Sequence, residues 1–174
     1  MDDFTEYLVK RQPTAKSAAL KVLIVVASIV LAIVLMIVCA AIKQIAFLGL
    51  LLAVGAIYGG WLLVRNQNLE FEYIVTGGDM DVDKIIARSR RKRLLSCKFR
   101  SIEIMAPATE AYRREMEAPG IKTRIDASSG NPADTYFIKF EGGEKLGMTL
   151  LLFSPSDRII QDIKNIVPRK VMTA

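Results

Sequence analysis

Residues 22–64 read VLIVVASIVLAIVLMIVCAAIKQIAFLGLLLAVGAIYGGWLLV. Their one charged side chain, Lys43, separates an apolar run of 21 residues (22–42) from another of 20 residues (45–64). A helix rises ~1.5 Å per residue, so each run is long enough to cross the ~30 Å hydrocarbon core of a bilayer. Because a backbone in lipid must satisfy its own hydrogen bonds, both runs are predicted to be helical. The short break at Lys43 and Gln44 predicts a tight antiparallel hairpin.

The charged residues lie on either side of this stretch. The 174-residue chain has 24 Lys and Arg against 18 Asp and Glu, a net charge of +6, and all of them except Lys43 fall within residues 1–21 and 65–174. This separation excludes one ordinary soluble domain and a disordered chain, and two cysteines are too few for a disulfide-stapled fold. The expected organisation is an N-terminal cytoplasmic segment (1–21), a transmembrane hairpin (22–64) and a cytosolic domain (65–174).

Basic residues near the ends of the apolar runs predict the orientation. The connecting loop has only Lys43, whereas both outer flanks are basic. The positive-inside rule therefore places both termini in the cytoplasm, and we expect a multi-pass protein of the cell membrane. The flanking basic residues are Lys10, Arg11, Lys16 and Lys21 before the hairpin, and Arg65, Lys84 and Arg88 after it.

Small residues in the second run predict a close helix contact. Gly55 and Gly59 lie one helical turn apart, as do Ala56 and Gly60. Small residues at this spacing allow two helices in a membrane to approach closely. We expect Gly55 and Gly59 to pack against the first helix of the hairpin, and contact between two copies of the chain is the alternative.

The first 21 residues are polar and mixed in charge. Phe4, Tyr7 and Leu8 recur at helical spacing, which favours a short interfacial helix ending near Pro13. A frayed tail is the other interpretation.

From Leu69 onward, the pattern changes to short β-type segments. Residues 69–75, LEFEYIV, alternate between apolar and polar side chains, which is typical of a half-buried strand. Residues 108–118 are polar and compatible with a helix. Further strands are predicted at 80–86, 94–99, 102–107, 121–127, 135–141 and 145–153.

The last segment has the signals of an amphipathic helix. Ser154 is a suitable N-cap and Pro155 suits the first helical position. Ile159, Ile163 and Ile166 recur at helical spacing and form one apolar stripe. About seven strands followed by this helix predict an α+β membrane protein, in which a two-helix hairpin precedes a small β-barrel or sandwich capped by a C-terminal helix.

Two spans followed by this order of strands resemble bacterial membrane proteins with a pleckstrin-homology-like (PH-like) domain. The segments that carry the resemblance are EYIVTGG (72–78), the basic stretch up to Arg93, FRSIE (99–103) and the closing helix after Phe153. The whole chain also resembles a family of small two-span proteins from Gram-positive bacteria. The resemblance implies a PH-like fold for residues 65–174 and assigns no ligand and no binding residue.

The densest positive charge is at residues 88–93, RSRRKR, and no acidic residue lies between Asp83 and Glu103. The chain leaves the second apolar run at Val64 and turns near Gly77. A returning strand of similar length, at ~3.3 Å per residue, brings this run back towards the membrane. Anionic head groups attract each nearby Lys or Arg by roughly 1 kcal/mol. One interpretation is a solvated turn; the other is contact with the inner leaflet through Arg88, Arg90, Arg91, Lys92 and Arg93.

The sequence contains no recognisable catalytic or metal-binding arrangement. It has no histidine and no phosphate-binding glycine loop. Asp79, Asp81 and Asp83 lack the glycine and the glutamate of a calcium loop and are expected to form one solvated face of a strand. We therefore expect no enzyme activity, no cofactor and no metal. Nucleic acid is not an expected partner, because the basic run is tethered to the spans and lacks an aromatic platform.

These features predict a membrane-anchored, non-enzymatic binding protein. Its cytosolic domain is expected to sit at the inner leaflet and to bind anionic lipid or a protein partner. The alternative is an accessory or structural subunit of a larger membrane complex, with another membrane protein as partner. Co-purification of one stoichiometric partner would favour the accessory role, whereas binding to anionic liposomes without one would favour the binding module.

Overall fold

The computed structural model describes residues 4–42 and 45–172 and divides them into two compact units. One unit combines the residues up to Gln12 with those from Leu69 onward, and the other is Pro13–Asn68. The apolar hairpin is therefore inserted between the two segments of the chain that form the strand-rich unit. The strand-rich unit is built from both ends of the sequence.

The inserted unit consists of α1 (Ala15–Ala41) and α2 (Ala46–Arg65), which pack as an antiparallel pair. Both helices are long and apolar enough to span a membrane. Thr14 caps α1, since its side chain accepts a hydrogen bond from the backbone N–H of Ser17 at 3.2 Å. The predicted break at Lys43 and Gln44 lies outside the described residues.

Small residues line the contact between α1 and α2, but they are not the predicted pair. A Cβ built on Gly60 would lie 2.6 Å from the Cβ of Ser28, and one on Gly49 would lie 3.0 Å from the Cβ of Cys39. Gly55 and Gly59 have no atom within 4 Å of such a Cβ. In the described residues they do not face α1, contrary to the prediction, because a period of 3.6 residues turns them roughly 90–130° away from the face that Gly49 and Gly60 share.

The strand-rich unit contains two separate four-stranded sheets. Sheet 1 is fully antiparallel and has the order β1-β2-β3-β4, whereas sheet 2 has the order β5-β7-β8-β6 with β6 parallel to β8. The strands of sheet 1 are β1 (Phe4–Lys10), β2 (Leu69–Thr76), β3 (Asp79–Ile86) and β4 (Arg90–Lys98). The strands of sheet 2 are β5 (Ile102–Pro107), β6 (Thr123–Ala127), β7 (Tyr136–Glu141) and β8 (Met148–Phe153).

Three helices complete this unit: α3 (Arg113–Met116), α4 (Gly143–Leu146) and α5 (Asp157–Ile166). Short 3-10 turns lie at Phe99–Ser101, Glu110–Tyr112, Pro132–Asp134 and Pro168–Lys170. The predicted α+β class, with two apolar helices followed by strands and a C-terminal helix, is confirmed. In the described ranges the strands form two sheets and not a closed barrel.

The N-terminal segment is a strand, so the expectation of a helix or a frayed tail is wrong for residues 4–10. β1 pairs with β2 without interruption, from Phe4 opposite Thr76 to Lys10 opposite Glu70. Its alternate residues Thr5 and Val9 are buried. The local spacing of apolar residues suited a helix as well as a strand, and the paired residues of β2 lie 60 to 72 positions away in the chain.

The C-terminal helix begins two residues later than predicted. Ser156 is the N-cap of α5 and accepts a hydrogen bond from the N–H of Ile159 at 3.4 Å. Ser154, the predicted cap, is instead only 3% exposed in the core. Ile159 and Ile163 face the core, as their spacing predicted.

The main core lies between the sheets and α5 and contains Phe71, Tyr73, Phe153 and Ile159. The Tyr73 hydroxyl joins the two sheets: it donates to the carbonyl of Ala127 at 2.5 Å and accepts from the N–H of Ser154 at 3.1 Å. Burial raises the pKa of this hydroxyl above its ordinary value, and the hydrogen bond from Ser154 offsets only part of that rise. The same side chain therefore supplies apolar packing and satisfies two buried backbone groups.

Candidate functional site

The β3–β4 turn holds only the first part of the basic run. The N–H of Ser89 donates to the carbonyl of Ile86 at 3.1 Å, and the two central residues have positive φ, 53° at Ala87 and 57° at Arg88. Positive φ at both central positions is the φ pattern of a type I′ turn, and three residues, 87–89, separate the paired Ile86 and Arg90. Residues 90–93 belong to β4, although the sequence predicted that this strand begins at 94.

The strand alternation divides the basic run between two faces of sheet 1. Arg93 lies opposite Asp83, whereas Lys92 lies opposite Lys84. The register shifts between Val82 and Asp83, where a bulge interrupts the pairing. As a result, Arg91 and Arg93 share the outer face with the acidic residues of β2 and β3. Arg90 and Lys92 share the opposite face, on which the core lies further along the strands.

On the outer face, three arginines cover a row of carboxylates, and we call Arg88, Arg91 and Arg93 the arginine clamp. Arg88 Nε lies 3.2 Å from Glu70 Oε1. Arg91 pairs with Glu72 and reaches Asp83 Oδ2 at 3.6 Å. Arg93 completes the row, with Nη1 2.9 Å from Asp81 Oδ2 and Nε 3.1 Å from Asp83 Oδ1.

The clamp neutralises carboxylates that are removed from water. The side chains of Glu72 and Asp83 are 6% and 5% exposed, whereas those of Arg91 and Arg93 are more than half exposed. Glu72 Oε2 is buried, and Arg91 is the charged partner that compensates it. The hydrogen bond to Asp83 and the nearby charge of Asp81 raise the pKa of the Arg93 guanidinium above its ordinary value. These contacts give the clamp a structural role.

The acidic residues of β3 depart from the sequence prediction. They do share one face, but Asp83 is buried and ion-paired and is not solvated. Across residues 4–42 and 45–172, no three Asp, Glu or Cys side chains are arranged to hold a metal ion. Arg91 and Arg93 pair with these carboxylates.

The opposite face of the same sheet end carries Lys84, Arg90 and Lys92, which we call the three-cation face. Arg90 and Lys92 are exposed and Lys84 is half-buried. Within the described part of the chain, none of the three forms an ion pair with a carboxylate. Ile86, the last residue of β3, pairs with Arg90 on one side and with Leu69, the first residue of β2, on the other. This face therefore lies at the end of sheet 1 from which the chain passes to the helical unit.

Of the five basic residues predicted to contact the membrane, the structure leaves two without a carboxylate partner, Arg90 and Lys92. Lys84 joins them, although the sequence analysis did not select it as a contact residue. Strand alternation was the available signal: it places Lys84 on the same face of β3 as Ile86, next to the turn, and this face continues into Arg90 and Lys92 of β4. The buried acidic partners of the clamp were not foreseen as partners, since they come from two other strands.

A model of the family described as Bacterial PH-like domain (DUF6106) matches residues 1–173. The match covers both the helical hairpin and the strand-rich unit. No curated protein and no solved structure matches the chain at a significant level.

Proposed function

Because the chain belongs to this family of bacterial PH-like domains, we propose that it is a non-enzymatic, membrane-anchored module whose PH-like unit contacts anionic lipid through the three-cation face. The helical hairpin is the anchor in this proposal. Both termini and the PH-like unit lie in the cytoplasm, at the inner leaflet of the cell membrane. The carrying observation is that Lys84, Arg90 and Lys92 have no carboxylate partner among the described residues and lie at the sheet end that is joined to the anchor.

Short connections support this placement. Only residues 66–68 separate the end of α2 from the start of β2. At no more than ~3.6 Å per residue, this connection keeps Leu69 within roughly 14 Å of the last residue of α2. The pairing of Leu69 with Ile86 then brings the β3–β4 turn to the same end of the sheet. In this proposal, the short connection keeps the three-cation face near the lipid surface.

The helical unit has interfacial residues at the end that leads to the sheet. The indole of Trp61 stacks on Tyr58, with ring centroids 5.7 Å apart, and the guanidinium carbon of Arg65 lies 5.3 Å from the Trp61 ring centroid. Lys21 lies at the same end, where its Nζ donates to Asn68 Oδ1 at 2.9 Å. Aromatic and basic side chains are enriched where helices meet lipid head groups, and basic residues favour the cytoplasmic side.

The charge on the three-cation face is sufficient for a measurable effect. Each Lys or Arg near an anionic leaflet contributes roughly 1 kcal/mol, so three of them contribute about 3 kcal/mol at low salt. The clamp contributes less to this attraction, since its arginines are balanced by four carboxylates. The proposal therefore separates residues that bind lipid from residues that hold the sheet together.

The test uses the full-length chain reconstituted in vesicles. An environment-sensitive fluorophore on Ser89→Cys, an exposed position in the turn, reports contact with lipid. We expect a blue shift in vesicles that contain anionic phosphatidylglycerol and not in pure phosphatidylcholine, and we expect salt to reverse it. The variant Lys84→Gln, Arg90→Gln, Lys92→Gln should lose the shift.

A matched variant removes three exposed cations from sheet 2 and its neighbouring loops: Lys122→Gln, Arg124→Gln, Lys145→Gln. It has the same net charge as the test variant and should keep the shift. Equal loss in both variants would mean that only net charge matters, and an unchanged signal in the first would refute the lipid contact. A stoichiometric membrane protein that co-purifies with the chain, together with no lipid response, would favour an accessory subunit instead.

A further inference from the structure

The four sheet edges in the described part of the chain differ in how they are protected. The edge of β5 is covered by the C-terminal segment, where the N–H of Met172 donates to the carbonyl of Met105 at 2.8 Å. β4 carries five basic residues and a bulge. β6 has only five residues and includes the exposed Arg124. Charges, bulges, short length and coverage are the usual means by which an edge strand avoids pairing with another chain.

β1 is only lightly protected, because its exposed charges are a single acidic and a single basic residue, Glu6 and Lys10. It is seven residues long, and its pairing with β2 has no irregularity. Its sequence, FTEYLVK, contains four apolar or aromatic residues, and Phe4 and Leu8 are 54% and 46% exposed. A regular, largely apolar edge strand that is open to solvent is a template for pairing with a further strand.

The backbone groups that β1 presents can be assigned from its register. The N–H of Arg11 donates to the carbonyl of Leu69 at 3.0 Å, so the backbone of this residue faces β2. In an antiparallel ladder, successive residues direct their N–H and C=O to alternate sides. The N–H and C=O groups of Glu6, Leu8 and Lys10 therefore face away from β2, at the open edge.

The charges on this edge are complementary to themselves. Glu6 and Lys10 are exposed and form no ion pair within the described ranges. In an antiparallel pairing of two β1 strands centred on Leu8, each Glu6 lies opposite the Lys10 of the other copy, and the two Leu8 side chains meet. The same register pairs the outward backbone groups of all three residues. Opposite charges and apolar pairs at facing positions stabilise adjacent strands.

We propose that β1 is a self-association edge, through which a second copy of this chain extends sheet 1 in the antiparallel register centred on Leu8. The contact is isologous, with a two-fold axis perpendicular to the sheet. The association does not depend on lipid binding by the three-cation face.

Single-cysteine crosslinking of the full-length chain tests the register. Hydrogen-bonded antiparallel neighbours have Cα atoms ~5.5 Å apart, which is within the range that a disulfide spans. Leu8→Cys should therefore give a covalent dimer on mild oxidation. Glu6→Cys should not, because the two copies of that residue are separated by roughly 13 Å along the strand. A mixture of Glu6→Cys and Lys10→Cys chains should crosslink, and the wild-type chain, whose two cysteines are buried, is the background control.

Charge exchange provides the second measurement, with the dimer fraction followed by sedimentation in density-matched detergent. Glu6→Lys should weaken association by about tenfold or more, because it places like charges opposite each other twice. Adding Lys10→Glu should restore it. A chain that is monomeric at all concentrations, equal crosslinking at positions 6 and 8, or crosslinking of Leu8→Cys to a different protein in native membranes would each overturn the proposal.

Discussion

Replacing Tyr73 with phenylalanine should destabilise the strand-rich unit by about 3 kcal/mol. The change removes only the hydroxyl, which is hydrogen-bonded to the carbonyl of Ala127 and the N–H of Ser154, and leaves the buried ring in place. Each of the two backbone groups left buried without a partner costs about 1–3 kcal/mol, which gives a range of about 2–6 kcal/mol for the two groups together, and we expect a value in the lower half of that range. This is a large share of the ~5–15 kcal/mol that stabilises a typical domain.

The Cys97 thiol reports unfolding of this unit, because it is fully buried in the core. In full-length chains that carry Cys39→Ala, labelling of Cys97 as a function of urea or temperature gives the free energy of unfolding. Tyr7→Phe is the matched control: this tyrosine is 39% exposed, and its loss should change stability by less than about 0.5 kcal/mol. Equal stability of the Tyr73→Phe variant and the parent chain would refute the role of the hydroxyl as a joint between the sheets.

The pH dependence of the stability difference between the parent chain and the Tyr73→Phe variant gives an independent check. The pKa of Tyr73 is higher in the folded state than the ordinary value near 10, so the folded state holds this proton more tightly than the unfolded state. The resulting stability is complete below about pH 10 and is lost as the pH rises further. The difference between the parent and Tyr73→Phe should therefore narrow above about pH 10, by up to ~1.4 kcal/mol per pH unit. A constant difference up to pH 11 would contradict the assigned shift.

Three further predictions concern other parts of the molecule. Gly60→Ala should separate the helices of the hairpin and lower its thermal stability, whereas Gly59→Ala, which meets open space, should not; both are measured by thermal unfolding in detergent. Arg91→Gln should destabilise the strand-rich unit by about 1–3 kcal/mol in urea titrations, because it leaves a buried carboxylate uncompensated, and Arg90→Gln, which removes the same charge, should be nearly neutral. Burial raises the pKa of Cys97 to about 12, so stability should fall as pH rises from about 9 towards 12, and Cys97→Ala should flatten that fall in alkaline unfolding curves.

The hairpin was predictable because its signal is local. Two uncharged runs of about twenty residues determine helical structure through backbone hydrogen bonding alone, and the helices end within a residue or two of the predicted C-terminal boundaries. The packing face was not predictable in the same way. Both Gly55 and Gly60 belong to small-residue pairs, and only the rotation of α2 against α1 selects the face that contains Gly60.

The basic run shows the same limit for the candidate site. Its charge and its position after the second apolar helix are evident in the sequence, and they favoured a common role for all five residues. Pairing with β3 and the bulge at Asp83 divide them between two faces. Carboxylates from β2 and β3 then engage Arg88, Arg91 and Arg93, which leaves Arg90 and Lys92 with Lys84.

The sequence by itself determined the apolar helical hairpin, the strand periodicity after Leu69 and the amphipathic final helix, because each depends on neighbours within one element. Only the tertiary structure decided that residues 4–10 complete sheet 1 and that Tyr73 joins the two sheets. It also decided which arginines of the basic run pair with carboxylates. Those features depend on contacts between residues far apart in the chain. The local spacing of side chains does not specify such partners, because one segment of apolar and charged residues is compatible with several pairing registers.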